Sequence, residues 1–281
     1  MQTKTSSLHW RFVTNTLLQP LFKAKRLGFI TDMDGTISHI AETPEAAVVT
    51  PRNRELLGTF VLMLPMVAVV SGRAVRDLQA RVAVPGVVYI GNNGLERWVG
   101  GGRVLNENVR QHRKALAAAL DELRPHMTVG MWIEDKYATA SINYRFTPQP
   151  EAAAESLEPI VREVASRHGL MVKSGKRLFE IRPPLEVNKS TVIAQIVEEA
   201  QLDALLYIGD DQSDLDPLHM VQKLRSSENC YAVGCGVLNS EPEMAGVLQT
   251  SADVLINDVN DVEAFLGWLS ETLSLARERG G

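Results

Sequence analysis

The sequence predicts an α/β protein: a parallel sheet crossed over by helices and interrupted by a smaller α+β unit. Three observations predict it. Short apolar runs followed by helical patterns recur towards both ends of the chain, the sign of parallel strands joined by helices. Between residues 102 and 184 the pattern changes to helix, strand, strand, and then repeats. At 281 residues the chain exceeds the roughly 100–200 that one hydrophobic core usually serves, so a second unit is expected.

The first strands fall at 27–31, 66–70 and 87–90, each a short apolar run of the kind buried on both faces. A helix over 107–124 then opens the inserted unit, followed by alternating segments at 127–134 and 138–145 that read as a hairpin. A second helix over 151–168 precedes runs at 171–174 and 178–181, a hairpin around Gly175. Pro183 and Pro184 cannot continue a strand and mark the return to the sheet. The main sheet resumes with a helix at 191–200, strands at 204–208, 230–233 and 253–256, and a helix over 262–274. Gly234, Cys235 and Gly236 lack the third glycine of a dinucleotide fingerprint and read as a loop at the sheet edge. The expected division is an N-terminal extension at 1–20, a core of 21–103 with 185–281, and an insertion of 104–184.

Composition narrows the function classes. With 45% hydrophobic and 22% charged residues the chain buries a core rather than remaining disordered. A net charge of -5 gives no electrostatic reason to bind nucleic acid or an acidic membrane surface. The apolar run 60–70 contains Pro65 and is far shorter than the roughly 20 residues a membrane span needs. Cys230 and Cys235 are too few for a disulfide framework and read as reduced structural thiols of a cytoplasmic protein. Before Asp32 the chain carries Lys4, Arg11, Lys23, Lys25 and Arg26 and no acid; without a cleavage site this reads as a solvated extension or helix.

In open α/β sheets ligands bind beyond the carboxyl ends of the strands, so the polar residues just after each run carry the interest. Asp32 and Asp34, followed by Gly35 and Thr36, leave the first strand; two carboxylates this close repel unless a cation compensates them or one holds a proton. Ser71, Gly72 and Arg73 follow the second strand and read as a helix opening whose free N–H groups suit an anion. Asp210, Asp211 and Asp214 follow the strand ending at Ile208. Lys189 opens a helix, where the dipole disfavours a cation, so it needs another reason to be there. Hard oxygen donors, a hydroxyl and one ammonium at these ends describe a Mg²⁺ and phosphate site.

In order and position these residues resemble the four motifs of the haloacid dehalogenase superfamily of phosphotransferases. A closer resemblance, from Gly28 onward, is to the trehalose-6-phosphate phosphatase family. Ser71 to Arg73, Gly91 to Glu96, Glu134 with Lys136, Tyr144 with Arg145, Gly175 with Lys176, Glu180 to Pro184, Asn188 with Lys189, and Tyr207 to Asp211 carry it. Asn93 and Asn143 stand where the family usually has His, Ser190 where it has Gly, and Leu215 where it has an acid, departures that bear on the sugar rather than the reaction.

The resemblance implies a Rossmann-like parallel sheet core with an inserted α+β cap domain. It also implies a Mg²⁺-dependent phosphoric monoester hydrolase that releases phosphate from trehalose 6-phosphate, with coupling to a trehalose-6-phosphate synthase as a partner. Asp32 is the expected nucleophile and Asp34 the acid and base. Asp32, the Asp34 backbone carbonyl and Asp210 are expected to hold the metal, supported by Asp211 or Asp214, while Ser71 and Lys189 hold the phosphoryl oxygens. Gly72, Arg73, Asn92 and Asn93 from the core, and Glu134, Lys136, Arg145, Lys176 and Glu180 from the cap, are the expected substrate contacts. Alternatives are a phosphatase for another sugar, such as sucrose 6-phosphate or a glucosyl or mannosyl phosphoglycerate, and a non-catalytic sugar-phosphate-binding regulatory domain.

Overall fold

The computed structural model describes residues 8–228, 230–239 and 242–278. From the first described residue to the cap the chain forms, in order, β1 (Leu8–His9), β2 (Leu27–Thr31), α1 (Pro51–Met63), β3 (Met66–Val70), α2 (Val75–Val82), β4 (Val88–Gly91), β5 (Glu96–Val99) and β6 (Gly102–Leu105). Next come α3 (Val109–Leu123), β7 (Trp132–Asp135), β8 (Ala140–Asn143), α4 (Pro150–Arg167), β9 (Met171–Gly175) and β10 (Leu178–Arg182). The chain returns through α5 (Lys189–Glu199), β11 (Ala204–Gly209), α6 (Leu215–Ser226), β12 (Tyr231–Val237), α7 (Pro242–Ser251), β13 (Val254–Ile256) and α8 (Val259–Glu278).

Among the described residues the main sheet has nine strands in the order β1-β13-β12-β11-β2-β3-β4-β5-β6. Neighbours from β1 to β4 pair parallel, and β5 and β6 add an antiparallel edge. Alternation along the central strands loads both faces: Phe29 packs into one apolar cluster and Ile30 into the other, as do Leu206 and Leu205. Burial on both sides explains why these runs read as continuously apolar. The helices are set by local signals: Thr50 accepts from Asn53 N at the start of α1, with Pro51 in its first turn, and Asn188 and Thr191 form a reciprocal cap on α5.

Four expectations change. Gly234, Cys235 and Gly236 are strand, not an edge loop: β12 pairs with β11 as far as Gly236 beside Gly209. Helices approach too closely for side chains there, since a Cβ at Gly234 would lie 2.8 Å from Leu218 Cδ2 and one at Gly236 3.1 Å from Ala252 Cβ. The expected solvated extension is pinned down from residue 8 onward. β1 pairs with β13, Trp10, Leu18 and Leu21 are buried, and Asp261 of α8 accepts from Trp10 Nε1 and lies 2.7 Å from His9 Nε2; residues 1–7 lie outside the described residues. The segment expected as a strand over 127–134 contracts to β7, because Met131 N closes a turn on Thr128 O. Finally, β5 and β6 extend the main sheet where no strand was expected.

The four strands β7-β8-β10-β9 form a separate antiparallel sheet. Ala140, Ile142, Phe179 and Ile181 face α3 and α4 and make a core of their own. The two helix-hairpin units of the sequence thus interleave into one layer, with β8 and β10 at its centre. Where this layer meets the main domain, Leu95, Val109 and Ala138 form a further small apolar cluster.

Candidate active site

The carboxyl ends of β2, β3 and β11 lie side by side in the parallel sheet, so their following residues meet. At the centre is a buried ammonium: Lys189 Nζ sits 2.7 Å from Asp214 Oδ1 and 3.2 Å from Asp32 Oδ2. All three residues are at most 5% exposed. Burial alone would lower the lysine, but Asp214 and Asp32 outweigh it and raise Lys189 above its ordinary value. This answers why a lysine opens α5 against the helix dipole: it is compensated by side chains from just after β2 and from the loop after β11.

Asp214 is the best satisfied of the acids. Its Oδ1 also accepts the Tyr207 hydroxyl, and its Oδ2 accepts the backbone N–H groups of Asp210 and Asp211. Burial opposes ionisation, yet Lys189, Tyr207 and the backbone donors hold Asp214 below the usual range. Asp32 is the opposite case. Its Oδ1 is buried with no hydrogen-bond partner. Burial, with the charges of Asp214, Asp211 and Asp34, raises it well above the usual carboxylate range despite Lys189. Asp210 accepts from Thr36 Oγ1 at 3.1 Å and from Asn239 Nδ2 at 3.1 Å, and burial together with Asp32 and Asp214 raises it as well. Gly35 makes this approach possible: its φ is +77°, and a Cβ there would lie 2.0 Å from Asp210 Oδ2.

Carboxylate oxygens of Asp32, Asp211 and Asp214 lie within 4.8 Å of one another, a group able to hold a metal ion. Asp210 is buried nearby, whereas the side chain of Asp34 points to Arg73. The donor set fits a hard divalent cation. Lys189 pairs with only Asp32 and Asp214 of the four clustered carboxyl groups, and Asp32 Oδ1 is a buried oxygen without a partner that a cation would satisfy. Asp214, with its oxygens already engaged, suits a supporting part, which distinguishes it from Asp211, whose Oδ1 accepts only from Ser213 at the rim.

Ser71 is buried just after β3, its Oγ accepting from the Arg73 N–H, and does not open a helix. The helix α2 starts at Val75, and the Val75 N–H donates to Glu96 Oε2 at 2.8 Å, so the protein's own carboxylate occupies that N-terminus. Burial raises Glu96 above the usual range, and the Val75 N–H pulls the other way. Arg73 grips both oxygens of Asp34, and also reaches Asp77 and Pro44 O.

The cap touches the main domain at both ends of its sheet. Near one end, Lys136 Nζ donates to Gly72 O at 3.1 Å, and Asn92 spends its amide on the cap, accepting from Thr139 Oγ1 and donating to Lys136 O. Near the other, Arg145 Nη1 donates to Glu42 O at 3.4 Å. Asn93, in left-handed conformation with φ 55°, packs beside Gly72 and leaves Oδ1 buried and unpaired. Glu134 and Glu180 flank β8 on the sheet's helix-free side, and Glu180 approaches Arg182 at 3.8 Å. Lys176 is exposed at the β9–β10 tip.

Sequence reasoning missed Asn239 and Thr139, and it quoted Thr36, Glu96 and Tyr207 within motifs without giving them a role. Asn239 follows β12 by two residues, so the strand-end rule applied to that strand would have found it. Tyr207 lies within an apolar run and gave no such signal.

The family model described as trehalose-phosphatase matches residues 30–250. A trehalose-phosphate phosphatase of Mycobacterium tuberculosis is 29% identical over 206 residues, covering 70% of this chain and 52% of that protein. The chain therefore spans about half the length of the curated relatives it matches. Among solved structures, the C-terminal domain of the Candida albicans trehalose-6-phosphate phosphatase superposes with a TM-score of 0.75 at 21% identity, over 96% of this chain and 99% of that one. An Aspergillus fumigatus trehalose-6-phosphate phosphatase gives 0.63 at 24% identity, over 95% and 100%. These likenesses establish the shared fold.

Proposed function

The chain belongs to the trehalose-phosphatase family, and from that premise we propose that it is a Mg²⁺-dependent phosphatase that hydrolyses trehalose 6-phosphate to trehalose and phosphate. The observation that carries the reading is the buried Asp32, held by Lys189 through one oxygen and left unpaired at the other.

In this mechanism one carboxylate oxygen of Asp32 attacks phosphorus, the bond from phosphorus to the sugar oxygen breaks, and an aspartyl-phosphate forms. Asp34 donates a proton to the departing sugar oxygen. It then takes one from the water that attacks the aspartyl-phosphate, which frees phosphate and restores Asp32. Ser71 and Lys189 hold the other phosphoryl oxygens. Asp32 and Asp210, with the Asp34 backbone carbonyl and Asp211, would hold Mg²⁺, which when bound offsets the charge of nucleophile and phosphate. Asp214 keeps Lys189 charged and in place. The cap, taken as 104–184, supplies Glu134, Lys136, Arg145, Lys176 and Glu180 to the sugar.

Phosphate release from a panel of sugar phosphates, with and without Mg²⁺, tests this. Release from trehalose 6-phosphate that depends on Mg²⁺ supports the reading, and faster release from another sugar phosphate replaces the sugar. Asn93 and Asn143, in positions where the family usually has His, favour keeping that second sugar in the panel. No release from any member would favour a non-catalytic regulatory domain; one solved neighbour, at a TM-score of 0.66 and 14% identity, is the C-terminal domain of a Candida albicans trehalose synthase regulatory protein. Coupling to a synthase is part of the same proposal.

A further inference from the structure

All four residues of β8 are buried, yet only two of them face the cap's core. Ala140 and Ile142 pack under α3 and α4. Strand alternation turns Ser141 and Asn143 to the opposite, helix-free side, and they are 0% and 2% exposed. On that side Ser141 Oγ and Asn143 Nδ2 have no hydrogen-bond partner. Leaving a buried polar group unpaired costs about 1–3 kcal/mol. Two such groups, two residues apart on one strand, point to a ligand that completes them.

Their neighbours define its chemistry. Glu134 and Glu180 pair with Ser141 from the strands on either side, while Trp132 and Leu178 pair with Asn143. The helix-free side lies towards the main domain, because the ends of this sheet touch it at Gly72 and Glu42. Two carboxylates repel an anion, so the phosphate is excluded from this patch. A neutral sugar hydroxyl both donates and accepts: it can donate to Glu134 or Glu180 and accept from Ser141 Oγ or Asn143 Nδ2. An apolar ligand would leave Ser141 Oγ and Asn143 Nδ2 unpaired.

We propose that Ser141 and Asn143 are specificity-determining residues that read the hydroxyls of the neutral sugar, completing a donor set between the acceptors Glu134 and Glu180. This rests on the sugar-phosphatase reading above. Neither residue touches the reacting phosphate, so both act on sugar binding alone.

Ser141→Ala and Asn143→Leu test it, assayed on whichever of trehalose, sucrose and glucose 6-phosphates the unaltered chain turns over fastest, and on p-nitrophenyl phosphate. The expected result is a KM for the sugar ester raised about three- to tenfold in each variant, with aryl phosphate turnover unchanged. The thermal midpoint should hold or rise, since each substitution removes an unpaired buried group, a readout that a purely structural role would move downward. An unchanged KM, or equal losses on both esters with a lower midpoint, overturns the proposal. Preference of the unaltered chain for another sugar ester would sink the trehalose reading while leaving this comparison intact. Hydrolysis of no sugar ester overturns both.

Discussion

The Arg73 guanidinium holds the Asp34 carboxylate at two points, with Nε 2.6 Å from Oδ2 and Nη2 2.8 Å from Oδ1. The two residues were expected to serve separately, one on the substrate and one as acid and base; in the structure each occupies the other. Asp77 and Pro44 O fix Arg73 from behind, and the Asp34 and Asp77 carboxylates raise the guanidinium further above its ordinary value although burial opposes this. In the proposed mechanism Asp34 would have to leave Arg73 to carry a proton.

Arg73→Lys keeps a charge but loses the planar fork that matches a carboxylate. The expected outcome is a fall in kcat of about tenfold for the lysine variant and more for Arg73→Ala, on the scale of a charge-assisted hydrogen bond. The loss should be greater with a sugar phosphate than with p-nitrophenyl phosphate, whose leaving group needs little protonation. Steady-state kinetics on the two esters check this, and equal losses would detach Arg73 from the acid role.

Asp32→Asn should abolish turnover and stabilise the fold. Because burial raises Asp32 above its unfolded value, its ionised form at neutral pH works against folding, and the amide removes that cost. Mg²⁺ at about 100 times its dissociation constant should add roughly 2.7 kcal/mol to the unaltered protein. The gain should be lost or much reduced in Asp32→Asn. Thermal unfolding with and without Mg²⁺ measures both effects without reference to activity.

Lys189→Met leaves Asp32 and Asp214 facing each other in a buried site. Removing one partner of a buried pair typically costs about 3–5 kcal/mol. A second change, Asp214→Asn, should recover part of the loss because it deletes the charge left behind. Denaturant midpoints of the two single variants and the double variant give the coupling.

Asp261 ties the N-terminal segment to α8 through His9, Trp10 and the Asn257 N–H. Burial opposes its ionisation, but those donors hold it below its ordinary value of 3.8. A depressed carboxylate contributes stability that is present above the unfolded value and lost as pH falls through the folded one. Asp261→Ala should therefore cost about 1.5–3 kcal/mol at pH 7, shrinking below about pH 4 as the unaltered protein loses the same contribution. Unfolding midpoints across this range check the sign.

Much of the candidate site was legible because parallel strands deliver their next residues to one end of the sheet. Asp32, Ser71 and Asp210 could each be found by reading one or two places past an apolar run. Lys189 was visible as a cation at an unfavourable helix position, and its partners explain it. Tyr207 and Asn92 were not legible in their roles, since a phenol within an apolar run and an amide after a strand carry no sign of what lies across the fold. The glycines of β12 misled for a related reason: their small size serves the close approach of helices, which only packing reveals.

By itself the sequence determined the alternation of strands and helices, the inserted helix-hairpin pair and the acids at the strand ends, because these depend on local periodicity and on where the chain leaves a sheet. The tertiary structure decided how those acids divide. Asp214 is saturated by Lys189, Tyr207 and backbone N–H groups, Asp34 is committed to Arg73, and Asp32 is left with an unpaired oxygen. That division depends on burial and on hydrogen-bond partners brought from distant segments, which set the free energy of each charge and which no local pattern encodes.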